Sequence, residues 1–373
     1  MATSRRRSGL AAAVVIAALA AIALGSLLPA AAQAGTRGHH PTKRSSGHRA
    51  LKMIWGTVDL PNGKSAFPTY HKLGVQVFQI ELNWAQTAPT KPADPRNPND
   101  PAYQWPSGLD QALQSAARYH IRVCILVIGA PSWATGNPSP FTAPTNPSDF
   151  AHFLTAAATR YKSVRDWMIW GEPNRNANFN PEPPNSPIGP RRYALLLNAG
   201  YHALKGVSRK NIVIGGNNAS YGTINPQQFV NAMRLPNGKP PPLDYYGLNP
   251  YTARPPALHQ AVCCKGGRDI DDLPAFETQL QHTYHRTVPL WLSEFTISSN
   301  SNNRAFNFHV SRKVQARWVT AAFKLVNTYR YVVGLGWFNL TDDPPSVPGA
   351  LTTGLLTWNL KPKPAFFAYE HAR

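Results

Sequence analysis

The chain has 373 residues, a formal net charge of +20, 43% hydrophobic residues and three cysteines. Three cysteines exclude a small disulfide-stapled domain, and neither they nor the twelve histidines show the ligand spacing of a zinc site. The positive charge is scattered and no nucleic-acid-binding motif accompanies it, so we expect no nucleic-acid partner, but either general solubility or contact with an anionic cell-wall polymer.

The N-terminal region has the pattern of a targeting segment. Three arginines at positions 5–7 precede an apolar run over residues 10–32, and the pattern Ala32-Gln33-Ala34 offers a cleavage site. This pattern predicts a secretory signal peptide over residues 1–34 and a disordered basic lead-in over 35–50. An uncleaved anchor is the alternative, because the run approaches the roughly 20 residues that span a bilayer. After removal of the signal we expect a secreted, extracellular protein that does not span a membrane.

Residues 51–373 alternate between short apolar runs typical of strands and amphipathic runs typical of helices. Strands are predicted over 52–58, 75–82, 121–128, 166–171, 211–215, 243–249, 288–294 and 332–339. Helices are predicted near 67–73, 108–119, 148–162, 190–206, 226–234, 273–284, 311–328 and 364–371. Eight strand–helix units imply a parallel sheet closed on itself, so we predict an α/β fold, a single-domain (β/α)8 TIM barrel over 51–373.

The connections support a barrel over an open doubly wound sheet. No glycine-rich phosphate loop follows the first predicted strand, where residues 55–59 read Trp-Gly-Thr-Val-Asp. Long connections leave the carboxyl ends of strands two, three, four, six and eight, and the returns are short. In a barrel these long loops build the active site.

Two glutamates close predicted strands four and seven. Glu172 lies in the segment Trp-Gly-Glu-Pro-Asn at 170–174, and Glu294 lies in Trp-Leu-Ser-Glu-Phe at 291–295. A carboxylate at the end of an apolar strand is costly unless it meets water, a partner or a ligand. An ion pair or a helix cap would explain either one alone. Together they match the two carboxylates, about 5–5.5 Å apart, that hydrolyse glycosidic bonds with retention of configuration.

The segments around both glutamates resemble the retaining glycoside hydrolases of clan A, particularly families 39 and 5. Residues 170–174 are similar to the clan's Trp-Asn-Glu-Pro-Asn segment; 131–134, 249–251 and 336–338 also resemble segments of these enzymes. The similarity covers residues from about 52 to 371. It implies an O-glycosyl hydrolase that needs no cofactor and acts on a carbohydrate, with Glu172 as acid/base and Glu294 as nucleophile.

Several further side chains are candidates for binding the substrate. They are Asn174, Asn249, Tyr251, Trp133 and Trp337. Tyr251 would donate a hydrogen bond to Glu294, and Trp337 would form a sugar platform that Trp133 extends, although each aromatic ring has simple packing as its alternative. Glu81 on strand two is a third carboxylate, which we expect to point outward or to form a salt bridge.

Three positions depart from the clan's pattern. Gly171 stands where the clan has an Asn that contacts the sugar 2-hydroxyl, Asn249 where a His is common, and Gln79 where an Arg is common. Hydrogen bonds to the 2-hydroxyl strengthen in the transition state. The alternative function is therefore a catalytically weak or inactive barrel that binds carbohydrate or the cell wall. Whether Cys263 and Cys264 bond to each other is left open.

Overall fold

A computed structural model describes residues 48–257, 265–304, 306 and 308–373. The predicted signal peptide, most of the predicted lead-in, and the Cys263–Cys264 pair lie outside these residues. Within the described ranges, none of the helices combines the length and the apolar character needed to cross a bilayer.

Eight parallel strands pair in chain order, and the last pairs with the first to close a barrel. The strands are β1 (Leu51–Trp55), β2 (Val77–Asn83), β3 (Arg122–Ile128), β4 (Asp166–Ile169), β5 (Ile212–Ala219), β6 (Tyr245–Asn249), β7 (Leu290–Phe295) and β8 (Val332–Phe338). The predicted TIM barrel is confirmed. Closure brings the carboxyl ends of all eight strands to one mouth.

Helices connect successive strands and cover the outside of the barrel. They are α1 (Phe67–Lys72), α2 (Trp84–Thr87), α3 (Ser107–Arg118), α4 (Ser132–Thr135), α5 (Pro147–Arg160), α6 (Ile188–Val207), α7 (Pro226–Ala232), α8 (Leu273–Tyr284), α9 (Arg312–Val326) and α10 (Pro364–His371). The eight predicted helices are found, and the short α2 and α4 are additional turns inside the long loops. Asn146 and Asn225 begin α5 and α7 by accepting hydrogen bonds from Ser148 N and Gln228 N, and a proline follows each cap.

A polar strut crosses the inside of the barrel below the mouth. Gln79 Nε2 donates to the carbonyl oxygen of Ser293 at 2.8 Å, and Gln79 Oε1 accepts from the Trp291 indole at 2.9 Å. Gly336 of β8 lies against this strut, since a Cβ there would stand 2.0 Å from the Ser293 oxygen. The strut fixes β2, β7 and β8 relative to one another, directly beneath the end of β7 that carries Glu294.

Candidate active site

Glu172 lies three residues after β4, in a segment whose backbone has left-handed conformations that are rare for residues other than glycine. The φ angles of Trp170 and Glu172 are +64° and +47°. Strained positions of this kind persist where neighbours determine them, often at functional sites. Here the Trp170 indole donates to Asn178 O at 2.7 Å, and Glu172 N donates to Asn217 O at 3.0 Å. Both bonds hold the Glu172 side chain at the mouth.

The Glu172 carboxylate is buried and accepts hydrogen bonds on both oxygens. Arg175 Nη1 lies 2.8 Å and Asn178 Nδ2 lies 3.3 Å from Oε2, while Asn249 Nδ2 lies 3.0 Å from Oε1. Ser293 Oγ donates to Asn249 Oδ1 at 2.9 Å, which turns the amide nitrogen of Asn249 toward Glu172. The predicted site residue Asn249 thus lies at the site, where it orients Glu172.

Glu294 lies opposite, at the end of β7. The Tyr251 hydroxyl donates to Glu294 Oε2 at 2.8 Å, which is the contact expected from the sequence. Burial, followed by the negative charge of Glu172, raises the pKa of Glu294 to about 8, against the opposing effects of Tyr251 and Arg175. Burial and the same two carboxylates raise the pKa of Tyr251 well above its usual value, so its hydroxyl remains a donor. The negative charge of Glu172 therefore acts on the carboxyl group of Glu294.

Glu81 joins the pair from β2, contrary to the expectation that it points outward or forms a salt bridge. Side chains alternate along a strand, and Gln79 points inward, so Glu81 also points into the barrel. Among the described residues it forms no salt bridge, and Asn83 Nδ2 donates to it at 3.4 Å. Burial raises the pKa of Glu81 to about 7. Its charge also contributes to the raised pKa of Glu294.

Trp337 is not brought to the mouth. It is 1% exposed, its indole donates to Thr353 O at 3.1 Å, and its ring meets that of Phe295 edge-on at 6.2 Å. Because Gly336 faces the barrel interior, strand alternation turns Trp337 toward the helices. Phe338, the next residue along, is half-buried and packs with Tyr251 in a small apolar cluster around Phe306. This burial does not favour Trp337 as the sugar platform, and Phe338 is the aromatic residue of β8 that lies beside Tyr251.

Asn174 is fully buried, and its amide is used by the protein backbone. Its Nδ2 donates to Ala219 O and Ile224 O, both at 3.1 Å, and its Oδ1 accepts from Ala219 N at 2.9 Å. The side chain braces the loop after β4 against the loop after β5. This arrangement does not favour the predicted contact with substrate.

Trp133 lies on α4, in the loop after β3, and is half-buried. Its indole donates to Ala88 O at 2.8 Å, and its ring meets that of Trp84 edge-on at 5.5 Å. The ring is therefore held between two loops at the rim. Its contact with substrate stays a prediction.

Sequence reasoning missed three residues that position the pair, namely Arg175, Asn178 and Ser293. Arg175 and Asn178 follow Glu172 closely in the chain, and a cation three residues from a candidate catalytic carboxylate is a signal that could have been used. No group of three His, Cys, Asp or Glu in the described ranges is arranged to hold a metal ion.

Comparison with solved structures identifies the fold. A family 39 glycoside hydrolase from Bacteroides cellulosilyticus WH2 superposes with a TM-score of 0.62 at 18% identity, over 86% of this chain and 63% of that protein. A GH39 enzyme from Xanthomonas axonopodis pv. citri gives a TM-score of 0.61 at 18% identity, over 86% of this chain and 65% of that protein. A monomeric beta-xylosidase from Caulobacter crescentus CB15 gives a TM-score of 0.59 at 17% identity, over 86% of this chain and 67% of that protein.

The chain thus spans only about two thirds of the length of these three proteins. In sequence, no protein-family model and no curated protein matches it. The structural likeness nevertheless covers 86% of the chain, which folds as a closed eight-stranded barrel. The chain therefore has the (β/α)8 fold of the family 39 glycoside hydrolases.

Proposed function

We propose that this protein is a secreted retaining glycoside hydrolase that cleaves O-glycosidic bonds of an oligo- or polysaccharide. The observation that carries the proposal is the meeting of Glu172 and Glu294 at one barrel mouth in different surroundings. Among the residues that the structure describes, three side-chain donors contact Glu172, whereas one tyrosine hydroxyl contacts Glu294. Two carboxyl groups in unlike environments are what acid and nucleophile require.

In the first step a Glu294 oxygen attacks the anomeric carbon, and the bond to the leaving oxygen breaks. Glu172 supplies the proton that the leaving oxygen takes. Tyr251 occupies Glu294 Oε2, which leaves Oε1 to form the glycosyl ester. Because burial and the charge of Glu172 raise the pKa of Glu294 in the free protein, this step requires that the proton lie on Glu172 and not on Glu294 when substrate is bound, with Arg175 then beside a neutral carboxyl group.

In the second step the Glu172 carboxylate removes a proton from water, and the water oxygen attacks the anomeric carbon. The ester bond breaks and returns the electron pair to Glu294. The donors around Glu172 suit this step, because Arg175, Asn178 and Asn249 bind an ionised carboxylate. Asn249 also keeps Oε1 in a fixed direction through its bond to Ser293.

The test compares the mature protein with Glu172→Ala and Glu294→Ala on a panel of polysaccharides and aryl glycosides. We expect each variant to lose turnover by orders of magnitude, and azide to restore both. Azide should give a product of retained configuration with Glu172→Ala and of inverted configuration with Glu294→Ala. Glu277→Gln, a carboxylate change on α8, is the matched control. Normal turnover in either alanine variant would refute the assignment.

A carbohydrate-binding barrel without turnover is the second candidate. It is favoured by Gln79, which is fully engaged inside the barrel, and by Asn174, whose amide is engaged by the backbone. Retained binding of one glycan, with no sugar release from any, would support it. For this candidate the net positive charge of the chain would attract an anionic cell-wall polymer, and that binding would weaken as salt is added.

Secretion is proposed from the N-terminal pattern alone. Mass spectrometry of the protein recovered from culture medium should give a mature chain that begins after residue 34. Full-length protein retained in the membrane fraction would instead support the uncleaved anchor.

A further inference from the structure

Glu81 gives the candidate active site a third carboxylate that the two-carboxylate mechanism does not use. Gln79 of the same strand reaches the Ser293 carbonyl across the barrel interior. The side chain of Glu81 therefore points inward, one level nearer the mouth. An apolar residue would fill this level of a barrel at no electrostatic cost, so a glutamate here calls for a role toward a ligand.

Positive charge is scarce around these three carboxylates. Among the described residues, Arg175 is the cationic side chain that contacts one of these carboxylates, and its Nη1 lies 2.8 Å from Glu172 Oε2. Neither Glu81 nor Glu294 has a salt-bridge partner in the described part of the chain. The cleft therefore holds an excess of negative charge whenever Glu81 and Glu294 are ionised.

The wall beside Glu81 is apolar, which strengthens electrostatic effects. Leu126 is its register partner on β3. A Cβ at Gly171 would stand 3.4 Å from both Leu126 and Ile128, so Gly171 places no polar group against this wall. Like charges repel more strongly where the surroundings are poorly polarisable.

We propose that Glu81 is a specificity-determining residue that excludes anionic sugars from the cleavage site, so that the sugar bound beside Glu294 is uncharged. The inference rests on the proposed function. A polymer that carries both charged and uncharged units would then be cleaved at an uncharged unit.

Aryl glucosides and aryl glucuronides of both anomers test this, because the two differ at one carbon, a hydroxymethyl group against a carboxylate. We compare wild type, Glu81→Gln and the control Glu277→Gln. The wild type should prefer the glucoside by roughly tenfold to a hundredfold in kcat/KM, the range expected for one like-charge contact in a protein interior. Glu81→Gln should improve the glucuronide and reduce this preference about tenfold, and the control should keep it.

The pH dependence adds a readout that packing alone would not change. Since the pKa of Glu81 is about 7, the preference for the glucoside should grow between pH 6 and pH 8 more steeply in the wild type than in Glu81→Gln. The neighbouring strands β1 and β3 place Trp55 and Leu126 at this end, and neither titrates. Glu294 of β7 titrates in both proteins, so its repulsion of the uronate is common to them and is removed by comparing them; the Glu172–Arg175 ion pair, at 2.8 Å, is likewise present in both.

Equal or better cleavage of the glucuronide by the wild type would overturn the inference, as would an unchanged preference in Glu81→Gln. If no aryl glycoside is cleaved, calorimetry with neutral and uronate oligosaccharides decides the matter. Binding of the neutral oligosaccharide alone, with the uronate admitted by Glu81→Gln, would support the role of Glu81 while counting against hydrolysis. Uronate binding at least as tight as neutral binding would overturn the inference even if hydrolysis of another substrate were found.

Discussion

Replacing Tyr251 with phenylalanine removes one hydrogen bond from the candidate nucleophile and leaves the ring in place. The hydroxyl donates to Glu294 Oε2 at 2.8 Å, and the ring meets Phe306 edge-on at 5.5 Å. The substitution keeps the ring contact. Its effect should therefore be confined to the ionisation and orientation of Glu294.

The magnitude follows from the strength of that bond. A hydrogen bond to a charged acceptor is worth about 1.5–3 kcal/mol, and about 1.4 kcal/mol corresponds to one pKa unit. Losing the bond should raise the pKa of Glu294 from about 8 by roughly one to two units. At pH 7 the ionised fraction would fall from roughly a tenth to about a hundredth or less, so kcat/KM should fall about tenfold to a hundredfold. The loss should shrink as the pH rises toward 9.

The assay is the rate of covalent inactivation by a 2-deoxy-2-fluoro aryl glycoside with a good leaving group, measured from pH 5 to pH 10. This reaction needs the nucleophile and makes little demand on Glu172. Tyr331→Phe, which removes a hydroxyl at the opposite end of the barrel, is the control. A pH profile for Tyr251→Phe that coincides with the wild-type profile would refute the reasoning, because it would mean that the hydroxyl does not affect the ionisation of Glu294.

Three further predictions concern stability. Glu182 is 1% exposed, and burial raises its pKa to about 9. A carboxyl group with a raised pKa does not oppose folding below pH 4.5, where it is protonated in both states, but opposes it increasingly from there up to pH 9. Glu182→Gln should therefore raise the free energy of unfolding by up to about 3 kcal/mol at pH 7 and raise Tm at pH 8, with no gain at pH 4. Gly336→Ala should destabilise the fold by more than about 2 kcal/mol in urea denaturation, because its Cβ would meet a β7 carbonyl oxygen, whereas Gly206→Ala on α6, with nothing within 4 Å, should be neutral or stabilising. Lys363→Met should cost about 3–5 kcal/mol in the same assay by leaving the carboxylate of Asp342, now 2.9 Å from Lys363 Nζ, unpaired, and adding Asp342→Asn should recover part of the loss.

The barrel and its two glutamates were predictable because the signals for them are local. Each strand is a short apolar run, α5, α7 and α9 begin at side-chain caps, and Glu172 and Glu294 lie at or just beyond the ends of apolar strands. The connectivity of eight such units leaves few ways to close a sheet. The bond from Tyr251 to Glu294 followed once both were placed at strand ends.

The remaining site was not predictable because it depends on which face of a strand turns inward. The sequence locates β8 correctly, but only closure of the barrel decides that Gly336 and Phe338 face the interior and Trp337 faces the helices. A shift of one residue reverses that outcome. The same applies to Glu81 on β2. Arg175 and Asn178 reach Glu172 through an irregular loop, whose contacts have no periodic signal in the sequence.

The brace that Asn174 forms has a consequence for any attempt to redesign this barrel. Its amide joins the loop that carries the candidate acid/base to the loop after β5, and a Cβ at Gly222 would stand 2.2 Å from the Asn174 carbonyl oxygen. The two loops are therefore packed against each other and joined by hydrogen bonds, so that each fixes the position of the other. A chimera that imports the loop after β4 from another barrel should misplace Glu172 unless the loop after β5 is imported with it, so these two loops must be exchanged together.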